Sequence, residues 1–150
     1  MLRTQEFLAM IRDALPGLLP AHLLSFKSRI VFSSLQVYYW QPHVHYEVWP
    51  VRKTGYLEIG LHFEGPAEES HAWARLLSHH ALEVQAMLGA AVEMEAWTPA
   101  WCRLHQMLPC PQLDRDLAQE AAERLARIIA CLQPILDEQM ASLRPVAAAH

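Results

Sequence analysis

Glycine is scarce in this chain: five residues in 150, at positions 17, 55, 60, 65 and 89. That spacing allows neither G-x-G-x-x-G nor a P-loop, which excludes the common phosphate-cradling folds. Cysteine is scarcer still. Cys102, Cys110 and Cys131 are odd in number and form no C-x-x-C pair, so free thiols in a reducing, cytoplasmic setting are expected rather than a disulfide framework. Basic residues are few and dispersed, twelve Lys and Arg against sixteen Asp and Glu, with only Arg52 and Lys53 adjacent. The resulting charge of -4 disfavours nucleic acid as a partner, because phosphate neutralisation needs a basic face. No apolar run reaches eighteen residues, so no membrane-spanning helix is expected. The opening Met1-Leu2-Arg3-Thr4-Gln5-Glu6 meets a carboxylate before any apolar core, unlike a signal peptide.

Catalytic signatures are missing too. Ser33, Ser34, Ser70 and Ser78 lie in no G-x-S-x-G elbow. Glu58-Ile59-Gly60 lacks the lysine of an E-x-K nuclease strand, and the strand region contains no aspartate. An enzyme is therefore not the favoured expectation.

What the chain does have is apolar content: 53% hydrophobic against 19% charged residues. A chain of this length and composition is expected to fold as one domain over residues 1–150, with fraying after about residue 144. The apolar surplus suggests a buried interface as well as a core. Usage rich in Ala and Leu and poor in Lys points to a GC-rich bacterial genome.

Thr4 is placed to cap a first helix carrying Phe7, Leu8, Met10, Ile11, Ala14 and Leu15 on one stripe, and Pro16-Gly17 stops it. Another turn or two of helix is expected over Pro20 to Phe26. Leu35 to Trp40 alternates as a strand. Val44 to Val51 and Tyr56 to Phe63 form a hairpin around Arg52-Lys53-Thr54-Gly55, with Gly55 free to take a positive φ. A helix is predicted over 67–88, closed by Gly89. Val92 to Trp97 and Trp101 to Leu108 make a second hairpin around Thr98-Pro99-Ala100. Asp114 caps a long last helix, which Pro134 should kink. The expected fold is α+β: one antiparallel sheet of about five strands in α-β-β-β-α-β-β-α order, with helices packed on one face. This order resembles that of the small dimeric chaperones of bacterial secretion systems. The resemblance is one of element order, and no residue role is carried over from it.

Side chains alternate along a strand, so register assigns them to faces. Pairing Val51 with Tyr56 puts Val44, Tyr46 and Val48 with Leu57, Ile59, Leu61 and Phe63 on one apolar face. A one-residue slip would bury His and Glu there, at a cost on the order of several kcal/mol. The other face then sets His45 opposite His62, Glu47 opposite Gly60 and Trp49 opposite Glu58, with His43 continuing the parity. In the second hairpin Trp97 opposes Trp101, Glu95 opposes Arg103 and Glu93 opposes His105, as exposed charge pairs would. Cys102 points into the core as an inert thiol.

Two functional readings follow. The favoured one is a non-enzymatic interaction or accessory domain that binds a protein partner, or a second copy as a homodimer, through an exposed sheet face. Trp49, Tyr56, Trp97, Trp101, Glu58, Arg103 and His105 are its candidate contacts, since aromatics and Arg are enriched at recognition surfaces. No cofactor is required by it. The alternative is a metal-binding domain or metal-dependent hydrolase, with a divalent metal held by His45, His62, Glu47 and Glu58, all ordinary ligands for zinc or iron. Single-stranded nucleic acid on the aromatic face is disfavoured by the carboxylates interleaved there.

Overall fold

The computed structural model describes the backbone of residues 1–148 and side chains as far as residue 141. Helix α1 (Thr4–Ala14) is followed by two short 3-10 turns, Leu15–Gly17 and Ala21–Leu23. Strands β1 (Lys27–Val31), β2 (Ser34–Tyr38), β3 (Val44–Val51) and β4 (Tyr56–Phe63) come next. Helices α2 (Ala67–His79) and α3 (Ala81–Leu88) precede β5 (Glu93–Ala96), β6 (Cys102–Pro109) and the long α4 (Arg115–Ala148). The class is α+β, with one fully antiparallel sheet in the order β1-β2-β3-β4-β6-β5.

Both hairpin registers match expectation. Val51 pairs with Tyr56, His45 with His62, Trp49 with Glu58, Glu93 with His105 and Glu95 with Arg103. Register is strongly specified here because a slip would exchange the buried apolar face for the polar one. Val44, Tyr46, Val48, Leu57, Ile59, Leu61 and Phe63 are all buried. They meet α4, whose seam of Ala118, Ala121, Ala122, Leu125, Ile128, Ile129, Leu132 and Leu136 is buried too. Alanines in its first turns leave room for Phe7, Leu8 and Ile11 of α1. Each large side chain buried in this layer contributes about 1.5–3 kcal/mol. Tyr46 also donates to Gln133 Oε1 at 3.0 Å, a polar pin between sheet and α4. On α2, Trp73 stacks on Phe63 at 6.0 Å and tilts against Trp40 at 5.6 Å.

Several local expectations are corrected. The sheet has six strands, because Lys27–Val31 pairs with β2 through a turn at Phe32-Ser33; its alternation is too polar to stand out. The segment Pro20 to Phe26 holds one 3-10 turn, and β2 ends at Tyr38 rather than Trp40. The 67–88 segment is two helices, separated where His80 leaves helical geometry (φ -104, ψ 16). Thr4 is not the cap of α1: Arg3 is, and the Thr4 hydroxyl accepts from Arg52 at 2.7 Å. Helix α4 includes Pro134 within its span, as the sequence places it. Asp114 does cap α4, its Oδ1 accepting from Leu117 N at 2.8 Å. Gly55 and Gly89 take positive φ as expected. The expectation of fraying after about residue 144 lies outside the residues whose side chains are described. No helix among the described residues is long and apolar enough to cross a membrane.

Candidate functional site

Register lays the polar face out in rows across the strands. One row runs His45, His62, Arg103, Glu95; the next runs Gln36, Glu47, Gly60, His105, Glu93; a third holds Trp49, Glu58 and Met107. Gly60 sits where rows must approach closely. A Cβ there would collide with the Leu104 carbonyl oxygen and come within 2.7 Å of His105 Cα and Cβ.

The face was expected to be exposed, and its centre is not. Glu58 and His62 are fully buried, and His45, Glu47 and His105 nearly so. Large neighbours in adjacent rows roof them over. Trp97 meets His62 edge-on at 5.6 Å and Trp101 at 5.9 Å, and the Arg103 guanidinium lies 4.9 Å from the Trp97 ring centre. A half-buried tryptophan pair therefore closes a polar centre that an isolated hairpin would leave wet.

Buried polar groups must find partners or destabilise the fold. His45 Nδ1 lies 2.8 Å from the Pro42 carbonyl, an acceptor only, so that nitrogen carries the proton and donates. His45 Nε2 faces inward, 3.1 Å from Glu47 Oε1 and 3.8 Å from Glu64 Oε2. The His62 ring stacks on it at 5.4 Å. His62 Nδ1 lies 2.8 Å from Glu64 Oε2, and His62 Nε2 lies 2.8 Å from Glu58 Oε1. Arg103 Nη1 braces Glu58 from 3.6 Å. Gln36 donates to Glu47 Oε1 at 3.3 Å.

These contacts set the proton affinities. Burial alone would depress His62, but hydrogen bonds to Glu58 and Glu64 and the charges of Glu58 and Glu47 prevail and push it up to about 10. Burial would raise Glu47; the His45 hydrogen bond, the His62 and His45 charges and the Gln36 amide outweigh it and hold Glu47 below its usual range. His105 goes the other way, lowered by burial and by Arg103. Three buried atoms here, Glu58 Oε2, Trp97 Nε1 and His105 Nδ1, have no hydrogen-bond partner among the described residues.

Of the four residues expected to ligate a metal, three converge. His45, Glu47 and His62 are joined by Glu64, and one ligand atom from each of these four lies within 4.8 Å of the others. Glu58 is not of that set: it lies behind His62, on the ring nitrogen facing Arg103. Glu64 shares the strand parity of Glu58 and His62, and its N–H donates to the His43 carbonyl at 2.8 Å, one step beyond β4. That parity was the available signal. His43 itself is drawn away by Glu69 of α2, at 3.2 Å.

Of the expected contact residues, Trp49, Trp97 and Trp101 line one groove of about 290 Å³ with Val31, Phe32 and Ser34, above Glu47 and Glu64. Arg103 binds Glu95 at 2.7 Å and supports Trp97 from below. Glu58 and His105 are buried and do not line this groove. Tyr56, 46% exposed, stands apart at the β3–β4 turn beside Cys110 and Pro111. Phe32 was missed, because a lone aromatic between Val31 and Ser33 carries no periodic signal. It is 92% exposed and takes a left-handed conformation, φ 54. A larger groove of about 460 Å³ between α2 and the end of α4 gathers Trp73, Leu76 and Met140 but no converging polar set. Burial raises the thiols of Cys102, Cys110 and Cys131, so none is an activated nucleophile.

No family model matches this chain, and neither does any curated protein or solved structure.

Proposed function

We propose that this is a non-enzymatic recognition domain that takes an apolar or aromatic segment of a partner protein into the groove bounded by Phe32, Trp49, Trp97 and Trp101. Phe32 carries the reading. A phenylalanine with φ 54 is strained, and at 92% exposure its ring gains little from burial to offset that strain. It stands on the rim of a groove whose other walls are half-exposed tryptophans, the residue type most enriched at binding hot spots. A concavity of this size admits one or two side chains of an extended or helical segment. That geometry supports a protein segment over a broad, flat self-association surface.

Panning a random peptide display library against the intact protein tests the proposal. Enriched peptides are expected to share an aromatic or large aliphatic anchor, and a synthetic copy should bind at least about tenfold more weakly to Phe32→Ala or Trp101→Ala. Enrichment insensitive to both substitutions would refute the groove. A protein that sediments as a dimer, and becomes monomeric as Phe32→Ala, would assign the same surface to a second copy instead.

A further inference from the structure

The geometry points to a divalent-metal site at the floor of that groove, formed by His45, Glu47, His62 and Glu64, for a zinc-type first-row ion. This goes beyond the recognition reading and does not depend on it.

Both imidazoles are arranged as metal-bound histidines are. Such a ring typically presents one nitrogen to the ion and gives the N–H of the other to a carbonyl or carboxylate, which fixes tautomer and orientation. His45 gives its Nδ1–H to the Pro42 carbonyl at 2.8 Å and turns Nε2 towards Glu47 and Glu64. His62 has Glu58 Oε1 at 2.8 Å on Nε2 and turns Nδ1 towards Glu64 Oε2. Glu58 is held in turn by Arg103. The inward atoms belong to two imidazoles and two carboxylates, a donor set suited to zinc and its neighbours. One ligand atom from each of the four residues lies within 4.8 Å of the others, with His62 Nε2 4.0 Å from Glu47 Oε2, so a small inward movement brings the set towards one ion.

Charge supports the same reading. Three carboxylates, Glu47, Glu58 and Glu64, surround His62, and one guanidinium, Arg103, reaches Glu58 while its other partner Glu95 lies at the surface. A dication with neutral imidazoles, together with Arg103, balances the three. Access exists as well, since Glu47 and Glu64 line the groove.

The test uses the full chain, freed of any histidine tag and stripped with a chelator, and titrated with Zn²⁺ or Co²⁺ alone. One ion per chain is expected, with a higher melting temperature by mass action, and Co²⁺ should give the visible absorption of a low-coordinate N/O site. Glu64→Gln and His45→Gln should each abolish stoichiometric binding while far-ultraviolet dichroism stays native. Glu58→Gln, acting through His62, should weaken affinity about 10–100-fold. Glu93→Gln, at the exposed end of the next row, should bind as the parent does. His62→Ala is less suitable because it leaves Glu58 buried without its partner; Glu64→Gln, partly exposed, keeps the test decisive. Binding below one ion per chain at 100-fold excess metal, or stoichiometric binding untouched by Glu64→Gln and His45→Gln, overturns the proposal. Loss of peptide binding in Trp101→Ala with full metal binding would separate this site from the recognition surface.

Discussion

Phe32 holds a left-handed backbone conformation at a fully solvent-facing position. At φ 54 the Cβ crowds the following carbonyl, a penalty of about 1–2 kcal/mol for an L-residue that is not glycine. Asparagine tolerates this region because its short amide bonds locally. Phe32→Asn is therefore expected to raise stability by about 1 kcal/mol, seen as a melting temperature about 2–4 °C higher for a chain of this size. The same substitution should weaken partner binding, the trade-off expected where strain serves a surface. A lower melting temperature would mean that the ring packs in its own chain after all. His62 is the opposite case. Its two nitrogens and the carboxylates on either side were readable as a cluster from strand parity, but Glu64 came into it only because the β3–β4 ladder continues one hydrogen bond past Phe63.

At the scale of elements, β4 is the strand on which the rest depends, paired on both sides with β3 and β6. Its one glycine is Gly60. A methyl group there would strike the Leu104 carbonyl and the His105 backbone, neither of which can rotate away. Gly60→Ala should therefore destabilise by about 3 kcal/mol, at or above the usual range for overpacking, and urea unfolding measures it directly. Near-neutral behaviour would imply that β6 shifts freely relative to β4. Both hairpins were legible because period-two alternation and turn residues are local signals. Strand β1 was not, because at an edge its alternation is weak and its pairing with β2 depends on one tight turn. The break at His80 escaped notice for a related reason: apolar spacing continues across it, and only backbone geometry marks the end of α2.

For the whole molecule, the joint between sheet and helix layer holds titratable groups that the unfolded chain would expose. Burial pushes the Tyr46 phenol well above its ordinary value, with Tyr39, Asp137 and Cys131 adding in the same direction. Tyr39 is raised as well, first by burial and then by Asp137. Since the folded values lie above the unfolded ones, the native state keeps protons that the unfolded chain releases above about pH 10. The stabilisation is complete below that pH and declines as pH rises past it. Tyr46→Phe should flatten the fall in urea midpoint between about pH 9 and 11, while costing about 1–2 kcal/mol at neutral pH because Gln133 loses its donor. An alkaline limb as steep as the parent's would show that the Tyr46 proton plays no part in it.

The sequence by itself determined the fold class, both hairpin registers and the division of the sheet into an apolar and a polar face. Those features follow from alternation, turn residues and caps, which act between residues near in sequence. Only the tertiary structure decided that the polar face is closed over. Trp97 reaches His62 from a different hairpin, and Arg103 joins Glu58 from the neighbouring strand, so the burial of the His and Glu cluster depends on β4 lying beside β6. The same pairing moved Glu58 from candidate ligand to the support of His62. No local pattern encodes that order of strands, because it is set by how the apolar face of β3 and β4 meets α4 while that of β6 meets α2.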